Sequence, residues 1–188
     1  MAQARLFLGT HGSEREAGVN QLVAGHWGRC VLLTPNRASA TRRMESLLLE
    51  GGLPPCFGAP VAEFNDFVAG LLSTAGVSVR LVSGLERTLL MEDCLARLQA
   101  EGRLAGLAAA PDAPGLVRHL LEVITQLKQG AVEPEQFRER VLGQKQPGLW
   151  DLMVADVYTA YQEALIGGGL HDVPGLYWLA HEQCAAGR

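Results

Sequence analysis

Short apolar runs alternate with amphipathic helical patterns in the first third of the chain. The predicted elements are, in order, a strand at 4–8, a helix at 14–27, a strand at 30–34, a helix at 38–50, a strand at 61–64 and the start of a helix at 67–72. Pro35 ends the second strand because it cannot donate to a ladder, and Gly51 closes the second helix. Strands and helices joined by such short links are typical of β–α–β units, so the sequence predicts an α/β fold with a parallel sheet.

Beyond Ser83 the apolar positions recur at helical spacing. They form three stripes: Leu85, Leu89, Cys94, Leu95 and Leu98; Leu116, Leu120, Ile124 and Leu127; and Trp150, Met153, Val157, Tyr161 and Leu165. Ser83, with Glu86 three residues later, fits a capping box at the start of the first of these helices. Residues 85–188 are therefore predicted to be nearly all helical.

Composition excludes two classes of protein. Of the 188 residues 48% are hydrophobic and the net charge is −4, a balance that excludes a disordered chain and allows a buried core. No run of about 18 apolar residues occurs, which argues against a membrane span, and the N-terminus shows no signal-peptide pattern. We therefore expect a cytoplasmic protein without a membrane partner.

Residue types that carry catalysis or bind metals do not cluster. Four cysteines stand far apart, without a CxxC pair: Cys30, Cys56, Cys94 and Cys184. We expect core thiols there, with a disulfide or a metal site as the alternative. The five histidines form no HExxH pair and no GxSxG occurs. We expect His171, Asp172, His181 and Glu182 to be surface or cap residues, and we predict no catalytic and no metal-binding residue.

The first candidate site is the turn after the first predicted strand. A P-loop, G-x-x-x-x-G-K-[ST], brings backbone N–H groups, a Lys and a hydroxyl to nucleotide phosphates and Mg²⁺. Gly9, Gly12 and Ser13 fit this loop, and Arg15 stands in place of the Lys. Positions 14 and 16 carry Glu where the second glycine and the hydroxyl belong. The residues alone favour an ordinary strand-to-helix turn with acidic residues at the helix start.

The second candidate site follows the predicted strand at 30–34. Thr34, Asn36 and Arg37 would lie at the carboxyl edge of a parallel sheet, where ligands of open α/β sheets bind. The helix N-terminus, together with Arg37, Arg42 and Arg43, would suit a nucleic-acid backbone. On the pattern alone a solvated helix face is the simpler interpretation.

A similar turn, Asn65–Asp66, follows the predicted strand at 61–64. Asn65 joins the candidate nucleic-acid-binding residues, while Phe64 and Phe67 on either side are expected to pack in the core. Residues 1–43 hold six Arg against two Glu, a local charge of +4 that is compatible with a surface facing phosphates.

Five segments, in order, resemble a known family. They are LLTPNRASATRRMESLL, VAEFNDFVAGLL, LVSGLERTLLMEDCL, PGLVRHLLEVITQLKQGAVEPEQF and DLMVADVYTAYQEALIGGGLHDVPGLYWLAHE. Together with the phosphate loop they resemble the opening of UvrD-like superfamily-one helicase domains, and most of all the AddB/RexB-type chains of bacterial ATP-dependent helicase–nucleases. The first segment resembles helicase motif Ia. The resemblance covers nearly the whole chain.

The resemblance implies a P-loop NTPase fold. Residues 1–83 would be an incomplete RecA-like α/β part, and residues 84–188 a large all-helical, 1B-like insertion. Active members of the family use ATP and Mg²⁺, but this loop lacks their Gly-Lys-Ser/Thr, so no cofactor is expected here. The resemblance also implies that the chain is the N-terminal part of a longer bacterial protein.

The function implied is a helicase-like domain without ATPase activity in DNA double-strand-break repair and recombination. It would bind single-stranded or end DNA and dock a partner helicase–nuclease subunit, while the parent protein would belong to an ATP-dependent helicase–exonuclease. Two alternatives stay open: a nucleotide-binding P-loop domain with an atypical loop, and a module that only binds another protein.

Overall fold

The computed structural model describes residues 13–54, 60–104 and 114–187, except for the side chains of residues 13–15, 50 and 114. In chain order the elements are α1 (Ser13–Gly25), β1 (Leu32–Thr34), α2 (Arg37–Glu45) with a π-helical continuation over Ser46–Glu50, β2 (Val61–Glu63), α3 (Phe64–Thr74), β3 (Arg80–Leu81), α4 (Gly84–Ala100), α5 (Pro114–Gln129), α6 (Pro134–Leu142), α7 (Leu149–Gly167), β4 (Leu170–His171) and α8 (Val173–Ala185). The chain divides into two compact units, Met1–Gly70 and Leu71–Arg188.

The first unit contains the parallel pair that the sequence predicts. β1 pairs with β2, from Leu32 opposite Val61 to Thr34 opposite Glu63. α2 forms the connection between them, so this is a β–α–β unit. The strand predicted at 4–8 lies outside the described residues.

A small apolar cluster holds this unit together. Its buried members are Val23, Ala40, Leu47 and Val61. The helix that continues α2 ends at Gly51, where an added Cβ would lie 2.7 Å from the Leu47 carbonyl oxygen. Glycine avoids that close approach, and Gly52, which follows, has φ +61, a left-handed conformation that ends the helix.

The second unit has a larger core, formed by facing stripes of α4, α5 and α7. Its most buried apolar side chains are Met91, Leu98, Leu120, Ile124, Val157 and Leu165. The stripe predicted on α5 is confirmed, because Leu120 and Ile124 are fully buried while Leu116 and Leu127 pack against the cluster. The predicted capping box is confirmed as well, since Ser83 and Glu86 exchange side-chain and backbone hydrogen bonds.

The stripe predicted on α4 is partly wrong. Leu85 and Leu89 are 70% and 51% exposed, because the buried face of α4 runs through Met91, Cys94 and Leu98. At about 3.6 residues per turn the first two leucines lie nearly half a turn away from that face. Trp150 and Phe64 are also more exposed than predicted, at 40% and 45%.

The region predicted to be nearly all helical, residues 85–188, contains a short strand, β4, whose partner β3 precedes that region. β3 pairs with β4, Arg80 opposite Leu170 and Leu81 opposite His171, and the Val82 N–H donates to the His171 carbonyl. Two-residue strands carry too little periodicity to predict from sequence. None of the helices in the described ranges is long and apolar enough to cross a bilayer.

A buried ion pair crosses the core of the second unit. The Lys128 Nζ lies 2.6 Å from the Asp172 Oδ1, and neither side chain is exposed to solvent. Lys128 also donates to Gln162 and lies 5.3 Å from the ring centre of Trp178. Asp172 caps α8 by accepting from the Gly175 N–H. The predicted cap is therefore present, but Asp172 is buried because its second partner is a lysine 44 residues earlier.

Candidate nucleic-acid interface

The carboxyl ends of β1 and β2 bring together four of the residues predicted to contact nucleic acid. Parallel pairing places Thr34 beside Glu63, and the chain continues from these two residues to Asn36–Arg37 and to Asn65. Side chains from separate stretches of sequence thus meet at one sheet edge, where ligands of α/β folds bind.

Thr34 and Asn36 shape the start of α2. Thr34 is buried, and its hydroxyl hydrogen is shared between the carbonyls of Ala62 and Asn36, at 3.3 and 3.2 Å. Asn36 caps the helix, its Oδ1 accepting from the Ser39 N–H at 2.8 Å. Both side chains are used within the protein, so their contribution to a ligand site is to fix the position of the helix N-terminus.

Arg37 forms a two-pronged ion pair with Asp66. Its Nη2 lies 2.8 Å from the Asp66 Oδ1, and its Nε donates to Oδ2 at 3.2 Å. The hydrogen bonds and charge of Asp66 raise the pKa of Arg37. Both side chains are open to solvent, with exposed fractions of 80% and 48%. The charge of Arg37, which was predicted to meet phosphate, is thus already neutralised by Asp66, although both side chains remain accessible to a ligand.

Asn65 is held by the strand that precedes it. Its amide donates to the Glu63 Oε1 at 2.7 Å, and the Asp66 N–H points to the other oxygen of the same carboxylate at 3.3 Å. Glu63 therefore closes the turn at the start of α3. Two carboxylates, Glu63 and Asp66, lie at an edge where the sequence pattern indicates mainly cations.

Arg42 and Arg43 lie at the opposite end of α2, in its last turn. Arg42 is exposed and Arg43 is half-buried. Arg42 is five positions after Arg37, a rise of about 8 Å along the helix axis. At about 3.6 residues per turn Arg42 and Arg43 lie on other faces of α2 than Arg37, so the three predicted cations do not form one continuous surface.

The phosphate-loop candidates cannot be placed with the others. Gly9 and Gly12 lie outside the described residues, while Ser13 and Arg15 begin α1 with side chains that also lie outside them. Of the cysteines, Cys30, Cys94 and Cys184 are free thiols and Cys56 is outside the described residues. Within residues 13–54, 60–104 and 114–187 no group of three His, Cys, Asp or Glu is arranged to hold a metal ion.

Sequence reasoning missed a second set of polar residues, in the helical unit. Arg87 on α4 donates to the Thr125 hydroxyl at 2.8 Å and to the Tyr161 hydroxyl at 3.3 Å. Burial, reinforced by the nearby Asp172 carboxylate, raises the pKa of Tyr161 to about 12.

The sequence does carry a signal for Arg87. It stands four residues before Met91 and seven before Cys94, which is a position of the apolar stripe of α4. A cation at such a position indicates a polar contact inside the helical unit.

Comparison with known proteins gives no further guide to this edge. No protein-family model matches the chain, and no curated protein matches it.

Proposed function

We propose that the chain is a helicase-like domain without ATPase activity, of the AddB/RexB type, which binds single-stranded DNA and docks a partner subunit in DNA double-strand-break repair and recombination. The first unit would be of the P-loop, RecA-like type, and the second would correspond to the 1B-like helical insertion. The order and spacing of the five sequence segments support this relationship.

One structural observation supports the DNA-binding part most strongly. The helix N-terminus at Asn36–Arg37 and the turn at Asn65–Asp66 lie side by side beyond the parallel strands β1 and β2. A helix N-terminus offers backbone donors and a partial positive charge to a phosphate. Contacts of this kind position a nucleic-acid strand and read no base sequence.

Charge at this edge limits the strength of binding. Because Asp66 neutralises Arg37, electrostatic attraction for a phosphate backbone falls mainly to Arg42 and Arg43. Each phosphate neutralised on single-stranded DNA contributes about −0.7 to the slope of log affinity against log salt. The proposal therefore predicts moderate binding with a shallow salt dependence.

Nucleotide hydrolysis is not part of the proposal. Residues 14–16 read Glu-Arg-Glu where a P-loop carries Gly-Lys-Ser/Thr, so two carboxylates would stand beside the triphosphate. Arg does not reproduce the compact charge of the P-loop Lys. The donor set does not fit ATP and Mg²⁺.

Exposed apolar side chains support the docking part. Leu85 and Leu89 stand one turn apart on α4, and Leu149 at the start of α7 is 72% exposed. Adjacent apolar side chains such as Leu85 and Leu89 give a helix surface the beginning of a contiguous apolar patch, the feature that is typical of places where another protein binds.

Fluorescence anisotropy with a labelled oligo-thymidylate of about twelve nucleotides tests the proposal. We expect the affinity of the full chain to fall between about 50 and 200 mM salt, and Arg42→Ala to make that slope shallower by about 0.7. Arg97→Ala is the matched control, since Arg97 is an exposed arginine on α4 in the other unit. Absence of DNA binding, or an Arg42→Ala slope equal to that of the wild type, would contradict the assigned path.

Two further measurements separate the alternatives. Heat released on titration with ATP and Mg²⁺, and abolished by Arg15→Ala, would favour a nucleotide-binding domain. Co-purification of a helicase subunit without any DNA affinity would favour a protein-binding module.

A further inference from the structure

A groove on the helical unit lies between α4 and α5. It has a volume of about 560 Å³, within the range of ligand pockets in proteins. Its wall combines the side chains of Arg87, Thr88 and Thr125 with the apolar side chains of Val117 and Leu121. Because both threonine hydroxyls donate to backbone carbonyls, the groove offers the guanidinium donors of Arg87 and an apolar surface to one ligand.

Arg87 is the central group of this groove. Thr125 donates its own hydroxyl hydrogen to the Leu121 carbonyl at 2.6 Å, so it can only accept from Arg87. Tyr161 likewise accepts from Arg87 while its hydroxyl points to Asp172 at 3.5 Å. Two uncharged hydroxyl oxygens thus hold the guanidinium in place. These contacts use two of its five N–H groups, and the other three can donate to another partner.

The charge around Arg87 is unbalanced. No carboxylate in the described ranges lies within ion-pair distance of it, and the carboxylate reached through Tyr161 is already paired with Lys128. Asp172 thus pairs directly with Lys128 alone, and the positive charge of Arg87 lowers the pKa of Lys128 further, in addition to the larger effect of burial. A half-buried cation of this kind is best satisfied by an anion.

The other charges of the groove do not cancel this excess. Glu122 lies 3.9 Å from both Arg118 and His119 at the solvent-exposed rim, where its side chain is 60% exposed. Arg118 and Glu122 compensate each other, which leaves Arg87 as the net charge of the lining.

We propose that this groove binds a phosphate group of single-stranded DNA, with the phosphate on Arg87 and the attached sugar or base against Val117 and Leu121. With the Nε and one Nη2 hydrogen engaged by hydroxyls, the remaining N–H groups on Nη1 and Nη2 can donate to the oxygens of a phosphate. The apolar side of the groove favours a nucleotide unit of a strand over free phosphate. This inference rests on the DNA-binding function proposed above and adds a second contact point to it.

The test uses the full chain, two probes and two pairs of variants. Arg87→Gln removes the cation, and Arg97→Gln is its control on the same helix. Because Arg87 also ties α4 to α5 and α7, a second variant, Gln126→Glu, adds a repelling charge at an exposed position of the groove, with Gln99→Glu as its control. The probes are labelled oligo-thymidylate in anisotropy and inorganic phosphate in NMR titrations of the Thr88 and Thr125 amides.

We expect Arg87→Gln and Gln126→Glu to weaken oligo-thymidylate binding about tenfold, with both controls within about twofold of the wild type. We also expect phosphate to shift the two threonine amides saturably and oligo-thymidylate to displace it. DNA binding that survives both groove variants would overturn the groove assignment and leave the proposed function intact. Phosphate binding in the groove without any DNA binding would overturn both, and point to a small phosphorylated ligand.

Discussion

Two ion pairs of nearly equal length behave as opposites in this molecule. Arg37 and Asp66 approach to 2.8 Å at the sheet edge of the first unit, and Lys128 and Asp172 approach to 2.6 Å in the second. The first pair is open to solvent, whereas the second has no exposed side-chain surface. The distance between the charged atoms therefore does not determine whether an ion pair contributes to stability or to binding.

Solvent explains the difference. Water screens the exposed pair, which can open to meet another charge at little cost. The buried pair has exchanged hydration for mutual attraction and hydrogen bonds, so removing one partner leaves an uncompensated charge in the core. The exposed pair is thus suited to a binding site, whereas loss of either partner of the buried pair is expected to destabilise the fold.

The largest expected effect follows from breaking the buried pair. Lys128→Met should lower the free energy of unfolding by about 3–5 kcal/mol, because Asp172 stays charged and buried without its partner. Denaturant titration followed by circular dichroism measures it. Adding Asp172→Asn should recover much of the loss, since that side chain keeps an oxygen for the Gly175 N–H and carries no charge. A single variant as stable as the wild type would show that the pair does not define the core.

A smaller effect is expected from crowding the same pair. A Cβ on Gly175 would lie 2.9 Å from the Asp172 Oδ1 and 3.5 Å from the Lys128 Nζ. We expect Gly175→Ala to cost about 1–3 kcal/mol of stability, as overpacking does elsewhere. Gly84→Ala is the matched control, because Gly84 also lies in a first helical turn but has nothing within 4 Å of an added Cβ. Equal stability of the two variants would argue against a tight fit at Asp172.

High pH should loosen the buried region. The pKa of Tyr161 is raised to about 12 by burial, and that of Tyr158 is raised in the same direction. An unfolded tyrosine loses its proton near pH 10 while the folded one keeps it, so stability should fall as the pH rises from about 10 to 12. Lys128 has the opposite effect on the pH dependence. Because burial lowers its pKa, its contribution to stability increases as the pH rises towards the pKa of the unfolded lysine. Tyr161→Phe should flatten the fall, and an unchanged slope would contradict the role of this hydroxyl.

The smallest expected effect concerns the exposed pair. Arg37→Gln should leave the thermal unfolding midpoint close to that of the wild type, because solvent already screens both charges. A midpoint lowered as far as in Lys128→Met would remove the distinction between the two pairs.

The sequence predicts features that depend on local spacing better than it predicts contacts between distant residues. The stripe on α5 and the capping box at Ser83 follow from local spacing, and both are present. The Arg37–Asp66 contact joins residues 29 apart, and the Lys128–Asp172 contact joins residues 44 apart. No local pattern carries such a pairing, because tertiary packing decides which polar side chains meet.

A signal for the buried Lys128 and the half-buried Arg87 was nevertheless present. Lys128 continues the spacing of Leu120 and Ile124 on α5, and Arg87 precedes Met91 on the buried face of α4. A charged residue at an apolar position of an otherwise regular stripe predicts either a buried pair or a ligand site. For Leu85 and Leu89 the error was the reverse, since apolar side chains were assigned to the core although they lie on another face.

The most direct test of DNA binding at the sheet edge is a pair of salt titrations with labelled oligo-thymidylate, one of the wild type and one of Asp66→Asn. Removing the carboxylate charge frees Arg37 for phosphate while keeping a hydrogen-bonding side chain at position 66. We predict tighter binding by the variant, with a slope of log affinity against log salt steeper by about 0.7. Identical curves for the two proteins, or no binding by either, would contradict DNA binding at this edge.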